Sequence, residues 1–212
     1  MRNLLIMATA LAGLATPAFA DEIINFSQPS QTNDVTITAT GGTSTTLSAV
    51  NVPVTVSELF DNAPTTAVFN LMATSVGAAT MFGADVVQHF NGSFSFINGA
   101  VNLLSATFTD LAIGAGAGFT VQSEDPPDTI TFTSSVIPVS EFGLPSAIAL
   151  GLSNVTPTLF IDGTTLGSGT ASISGNASAN PIPEPFTLAV VGVGIAGLGY
   201  VRRQRRTAQN AA

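Results

Sequence analysis

Cysteine, lysine and tryptophan are absent from the 212 residues, and histidine and tyrosine occur once each. Without cysteine there is no disulfide framework, no thiolate metal site and no cysteine nucleophile. A single histidine, His89, excludes a histidine-rich zinc or iron centre. Any Ser-His-Asp machine would have to use it. It lies in Val86-Val87-Gln88-His89-Phe90, a strand-like run, and the chain has no GxSxG elbow. His89 therefore reads as an ordinary strand histidine. The five basic residues are all arginines, Arg2, Arg202, Arg203, Arg205 and Arg206, so residues 21–180 hold 12 acids and no Lys or Arg. Such a body makes no Lys or Arg salt bridges, and it repels nucleic acid and anionic headgroups. It would accept a basic ligand or a divalent cation before a phosphate. The body also lacks Trp and Tyr, the faces on which sugar rings stack.

Long apolar runs occur near the two ends of the chain. Residues 1–20, MRNLLIMATALAGLATPAFA, carry Arg2, an apolar run from Leu4 to Leu14, Pro17, and then Ala18-Phe19-Ala20. Small residues at Ala18 and Ala20 are what a signal peptidase reads, so a Sec-type signal peptide helix should be cut between Ala20 and Asp21. A membrane anchor would need about 20 apolar residues, and this run is too short. At the other end, Phe186 to Val201 is a 16-residue run without a charge. As a helix it spans roughly 24 Å, a little under the hydrocarbon thickness of about 30 Å; Thr187, Tyr200 and snorkelling arginines can cover the difference. The arginines behind it act as a stop-transfer cluster and place the C-terminus, with the polar residues 207–212, in the cytoplasm. Pro183 and Pro185 keep the helix from extending toward the body.

Within that run, Gly192-Val193-Gly194-Ile195-Ala196-Gly197 spells GxGxxG. A dinucleotide site needs a strand before it, a helix after it and an acid about 20 residues on. Here the last acid is Glu184 and 15 residues follow Gly197. Gly192 and Ala196 instead suit a small-xxx-small face of a membrane helix. No cofactor is expected.

Taken in order, Ile182-Pro183-Glu184-Pro185, the glycine-rich apolar run and Arg202-Arg203 resemble the PEP-CTERM sorting signal of exosortase-processed bacterial proteins. The resemblance covers roughly the C-terminal eighth of the chain. It departs from the family pattern at Ile182, where valine is usual, and in the extension Thr207 to Ala212. The resemblance implies a Gram-negative host, Sec export and transient anchoring in the inner membrane. A membrane-embedded exosortase would remove the helix near Pro183-Glu184-Pro185 and send the mature protein to the cell surface or the exopolysaccharide matrix. A permanent single-pass membrane protein is the plainer alternative; a GPI tail does not normally end in a basic cluster.

Between the two ends, period-two stretches recur, among them VTITAT from Val35, PVTV from Pro53, VFNLMAT from Val68, GSFSFI from Gly92, LLSATFTDLAI from Leu103, TLFI from Thr158 and GTASISG from Gly169. Gly41-Gly42, Asn91-Gly92, Asn98-Gly99, Pro126-Pro127-Asp128 and Asp162-Gly163 supply turn signals. Eight to ten short strands at this spacing predict a mainly β domain over 21–175, sandwich or jelly-roll-like. Phe94, Phe96, Phe108, Phe119, Phe132, Leu150 and Phe160 should point into its core, and Val56 to Phe60 should form one helical turn. Residues 176–182 read as a flexible linker to the sorting signal at 183–206.

Glu124, Asp125 and Asp128 share a proline-stiffened loop whose oxygens could hold calcium. The loop lacks the alternation of a calcium motif, so no metal is expected. Glu58, Asp61 and Asp162 are candidates of the same kind. Asn91, Asn154 and Asn176 head N-x-S/T triplets, which chance supplies in a chain this rich in Asn, Ser and Thr. The function class that fits is a non-catalytic surface or matrix protein. The alternative is a secreted module that binds or hydrolyses exopolysaccharide, the latter needing a carboxylate pair whose separation the sequence leaves open.

Overall fold

Alternation of small hydroxyl-bearing residues with aliphatic and aromatic ones makes the described chain almost wholly extended. The computed structural model describes residues 21–60, 64–82, 85–114, 118–122 and 129–180. The strands are β1 (Asp21–Ser27), β2 (Val35–Thr40), β3 (Ser44–Leu59), β4 (Thr65–Phe82), β5 (Asp85–Asn98) and β6 (Val101–Gly114). They continue with β7 (Gly118–Gln122), β8 (Thr129–Thr133), β9 (Gly143–Thr156), β10 (Ile161–Asp162), β11 (Thr165–Leu166) and β12 (Gly169–Asn180). Val139–Glu141 forms one 3-10 turn.

All the pairings are antiparallel, and the large sheet returns on itself. β3, β4, β5 and β6 form a meander; β6 pairs β7, β7 pairs β9, β9 pairs β12, and β12 pairs both β1 and β2, which in turn pair β3. β1 and β2 occupy one strand position interrupted by residues 28–34: along β12 the register runs Ser27↔Ser174, then Val35↔Ala171. β7 and β8 share another position along β6, with Gly114↔Gly118 above and Thr109↔Thr129 below. Counted this way, the sheet has eight positions in up-and-down order, a closed barrel whose interior is just wide enough for side chains to fill it. The expectation of a mainly β body holds. The sandwich or jelly-roll arrangement gives way to a meander, because neighbouring strands in the chain pair with each other and, among the described strands, no Greek-key crossover intervenes.

The interior is aromatic. Phe26 on β1, Phe69 on β4, and Phe94 and Phe96 on β5 are buried, with ring centroids 4.6 Å apart for Phe26–Phe96 and 5.0 Å for Phe69–Phe96. Phe108 on β6 extends the stack, 6.4 Å from Phe94. These separations lie in the range where rings attract edge-to-face or offset. Phe132 and Leu150 are buried too, and Phe142 packs on Phe132 at 5.8 Å. Bulges keep the alternation in phase along the long strands. Between Ala49 and Val52 β3 carries one residue more than β4, with Asn51 at φ 54 and its N–H donating to Asn70 Oδ1 at 2.9 Å. Residues three apart, Ala49 and Val52, thus both face inward.

Several expectations are corrected. Val56 to Leu59 continue β3 instead of turning as a helix; β-branched Val56 faces the core and Leu59 pairs with Ile24. Asn91-Gly92 lies inside β5, where a Cβ on Gly92 would stand 2.3 Å from the Met72 carbonyl oxygen. Of the expected turns, Gly41-Gly42, Gly99 and Gly163 are turns at positive φ, while Pro126-Pro127-Asp128 lies outside the described residues. Thr158 to Phe160 are not strand, and Phe160 is 43% exposed, its ring lying over Gly167. Phe119 belongs to β7, whose side chains are outside the described set. The linker expected from Asn176 is instead the end of β12, hydrogen-bonded to β1 on one side and β9 on the other, with Ala177 and Ala179 buried. Small residues there are a packing requirement: a Cβ on Gly175 would sit 2.2 Å from the Ala149 carbonyl oxygen.

Candidate functional site

The hairpin of β10 and β11 folds over one end of the barrel and fills it with polar groups. Thr164 N–H donates to Gly42 O at 2.8 Å, and Ala79 N–H, in a bulge of β4, donates to Thr164 O at 2.9 Å. Beneath the hairpin Gln88, Thr45 and Thr165 are all fully buried. Gln88 Nε2 donates to Thr165 Oγ1 at 2.9 Å and to Gly77 O at 3.0 Å, while Gln88 Oε1 accepts from Leu166 N–H at 2.8 Å. Thr45 Oγ1 bonds Thr165 Oγ1 and donates to Leu166 O at 2.6 Å. Each polar atom has a partner, which is what burial demands of it. This end is a plug.

The outer wall carries the concave surface. A hollow of about 400 Å³ lies across β3, β4, β5, β6 and β8. Its lining follows from strand alternation: with Phe94, Phe96, Ala106 and Phe108 turned inward, Ser and Thr must turn out. The register aligns them in rows. One row runs Thr131, Thr107, Ser93, Met72, Ser48 across five strands, and the next runs Thr133, Ser105, Ser95, Asn70. At about 4.8 Å between strands, the first row is about 19 Å long. Val50 and Met72 are exposed on its floor. A second hollow of about 320 Å³ adjoins at Val50, lined by Asp34, Thr36, Ser48, Asn51 and Pro53. Of the described side chains lining the two, Asp34 alone is charged. Hydroxyls and amides both donate and accept, so the surface offers hydrogen bonds of either sense.

The residues singled out from the sequence fall elsewhere. Ala18, Ala20, Asp61, Glu124, Asp125, Asp128, Pro183, Glu184, Pro185 and Arg202 to Arg206 lie outside the described residues. Asp21 opens β1 opposite Ala179 of β12. Glu58 is exposed on β3 and Asp162 is exposed on β10, on different elements. Among the described residues no three His, Asp or Glu group in a way that could hold a metal ion, and no helix is long and apolar enough to cross a membrane. His89 is half-buried on β5, opposite Val76 of β4 and Ala112 of β6. The hydroxyl rows were missed because no single motif spells them; SFSF, SATFT and TITFT in adjoining strands were the signal. No family model, no curated protein and no solved structure matches this chain.

Proposed function

We propose that this chain is an exported, non-catalytic surface or exopolysaccharide-matrix protein, delivered by exosortase processing of its C-terminal signal. The observation that carries the reading is the ordered tail: Pro183-Glu184-Pro185, the uncharged run 186–201, and Arg202, Arg203, Arg205 and Arg206. The body supports it in two ways. Its interior is occupied by aromatic side chains, and the described residues lining the larger outer hollow are Ser, Thr, Asn and apolar ones. The last strand ends at Asn180, three residues before Pro183, so a cut near the motif leaves the barrel whole. The partners on this reading are a signal peptidase, the exosortase and, transiently, the inner membrane.

Replacing Pro183-Glu184-Pro185 by three alanines tests it. Hydrophobicity and the arginines are untouched, so insertion should persist and unprocessed protein should accumulate in the inner membrane, and deleting the exosortase should give the same result. An alanine variant that reaches the matrix at its normal mature mass overturns the sorting reading. The hydroxyl-lined wall favours a second reading, a module that binds exopolysaccharide. Hydrolysis would need a carboxylate pair, which the hollow does not supply.

A further inference from the structure

We infer that the outer wall of β3, β4, β5, β6 and β8 is a binding site for an uncharged polysaccharide chain, laid across the strands. The inference rests on the second reading above and deepens it by naming the site and the ligand class.

Three observations converge on this wall. The first is extent: two hollows that share Val50 lie side by side over adjoining strands, and taken together as one trough they are long enough for several units of an extended polymer. The second is the lining. Rows of Ser and Thr held in register present paired donors and acceptors, Thr107 and Thr131 opposite each other and Ser105 opposite Thr133. Val50 and Met72, 69% and 57% exposed, put apolar contact on the same floor. A sugar ring has this double character, with hydroxyls on its rim and C–H groups on its faces. Val50 and Met72 take the part that an aromatic ring would play, and the body has no Trp or Tyr to play it. The third is charge. Among the described residues Asp34 is the one charged group in the trough, and the surrounding body holds 12 acids without a Lys or Arg. An anionic polymer finds no cation to pair with and is repelled. A neutral one loses nothing.

Without stacking, each contact is weak. A polymer engages many protein copies at once, and avidity then holds the complex together. The site is thus suited to a chain, and a free monosaccharide should bind too weakly to compete.

The test is native affinity electrophoresis of the full chain in mild detergent, through gels cast with dextran, hydroxyethylcellulose or galactomannan, and in parallel with alginate or hyaluronan. Thr107→Glu combined with Thr131→Glu introduces two charges at exposed, adjoining positions at one end of the first row, and Thr158→Glu, exposed outside the trough, controls for charge. At least one neutral polymer should slow the parent and the Thr158 variant at least twofold and leave the double variant at its free mobility; the anionic gels should slow none of them. Equal thermal midpoints for parent and double variant show that the fold is kept. If the double variant is slowed as much as the parent, the site is wrong while polysaccharide binding stands. If no neutral polymer slows the parent, or alginate slows it as strongly, the inference is overturned. Retardation does not depend on processing, so neither result touches the sorting reading.

Discussion

The aromatic middle of the barrel and the polar plug at its hairpin end are equally dry, yet different forces hold them. In the middle, Phe26, Phe69 and Phe96 meet through non-directional burial and ring contact, and any large apolar side chain at those positions would contribute something. At the plug, Gln88 succeeds because Gly77, Thr165 and Leu166 stand where its amide needs them, 77 residues distant in the case of Thr165. Burial is tolerant of detail and hydrogen bonding is not. The two regions should therefore fail differently.

The largest effect should come from removing what both regions share. β12 is paired on both edges, so a chain lacking residues 169–180 loses barrel closure altogether. It should be recovered as a protease-sensitive, unfolded species; limited proteolysis showing a resistant body would break the closed-barrel description. For the same reason, if the tail is processed as proposed, the mature protein should end beyond Asn180, and an intact mass placing its end before Asn180 contradicts this.

Next come the two regions taken singly. Phe69→Ala in the middle should cost about 3–5 kcal/mol, transfer and cavity terms together, read from the shift in urea midpoint. Gln88→Leu at the plug fits the space but strands the Leu166 N–H and the Gly77 carbonyl, and should cost about 2–4 kcal/mol. If Gln88→Leu proves neutral, the plug is merely tolerated and the comparison collapses. A double-mutant cycle between Gln88→Leu and Thr45→Val sharpens it: both touch Thr165, so their effects should depart from additivity by about 1 kcal/mol. Phe69→Ala with Thr45→Val, which share no partner, should add. Smallest is Thr107→Val on the outer wall, a β-branched swap on an exposed strand, expected within about 0.5 kcal/mol of the parent.

How far each region could be read from the chain follows the same division. Phe94, Phe96, Phe108, Phe132 and Leu150 were legible as core because each alternates with Ser, Thr, Gly or Ala, and period two is a local property. The glycine turns at 41–42, 99 and 163 were legible for the same reason. Phe160 was misread because hydrophobicity alone does not say whether a strand continues to the next element. Residues 176–180 were misread because small residues look alike in a linker and in a crowded strand, and the crowding at Gly175 and Ala177 comes from β9, more than 20 residues upstream. Gln88 passed as one more residue of a strand.

The amino-acid order by itself determined that this body is extended, acidic and free of disulfides, and it wrote the tail on which the sorting proposal rests. All of these are sums or short periods, readable one residue at a time. Which strand lies beside which, that β1 and β2 share one position, that β12 closes the ring, and that hydroxyls from four strands fall into rows were decided by tertiary structure. Register between strands is a relation among distant residues: it is set by bulges such as that at Asn51 and by the need to keep every inward side chain out of water, and no local stretch contains it.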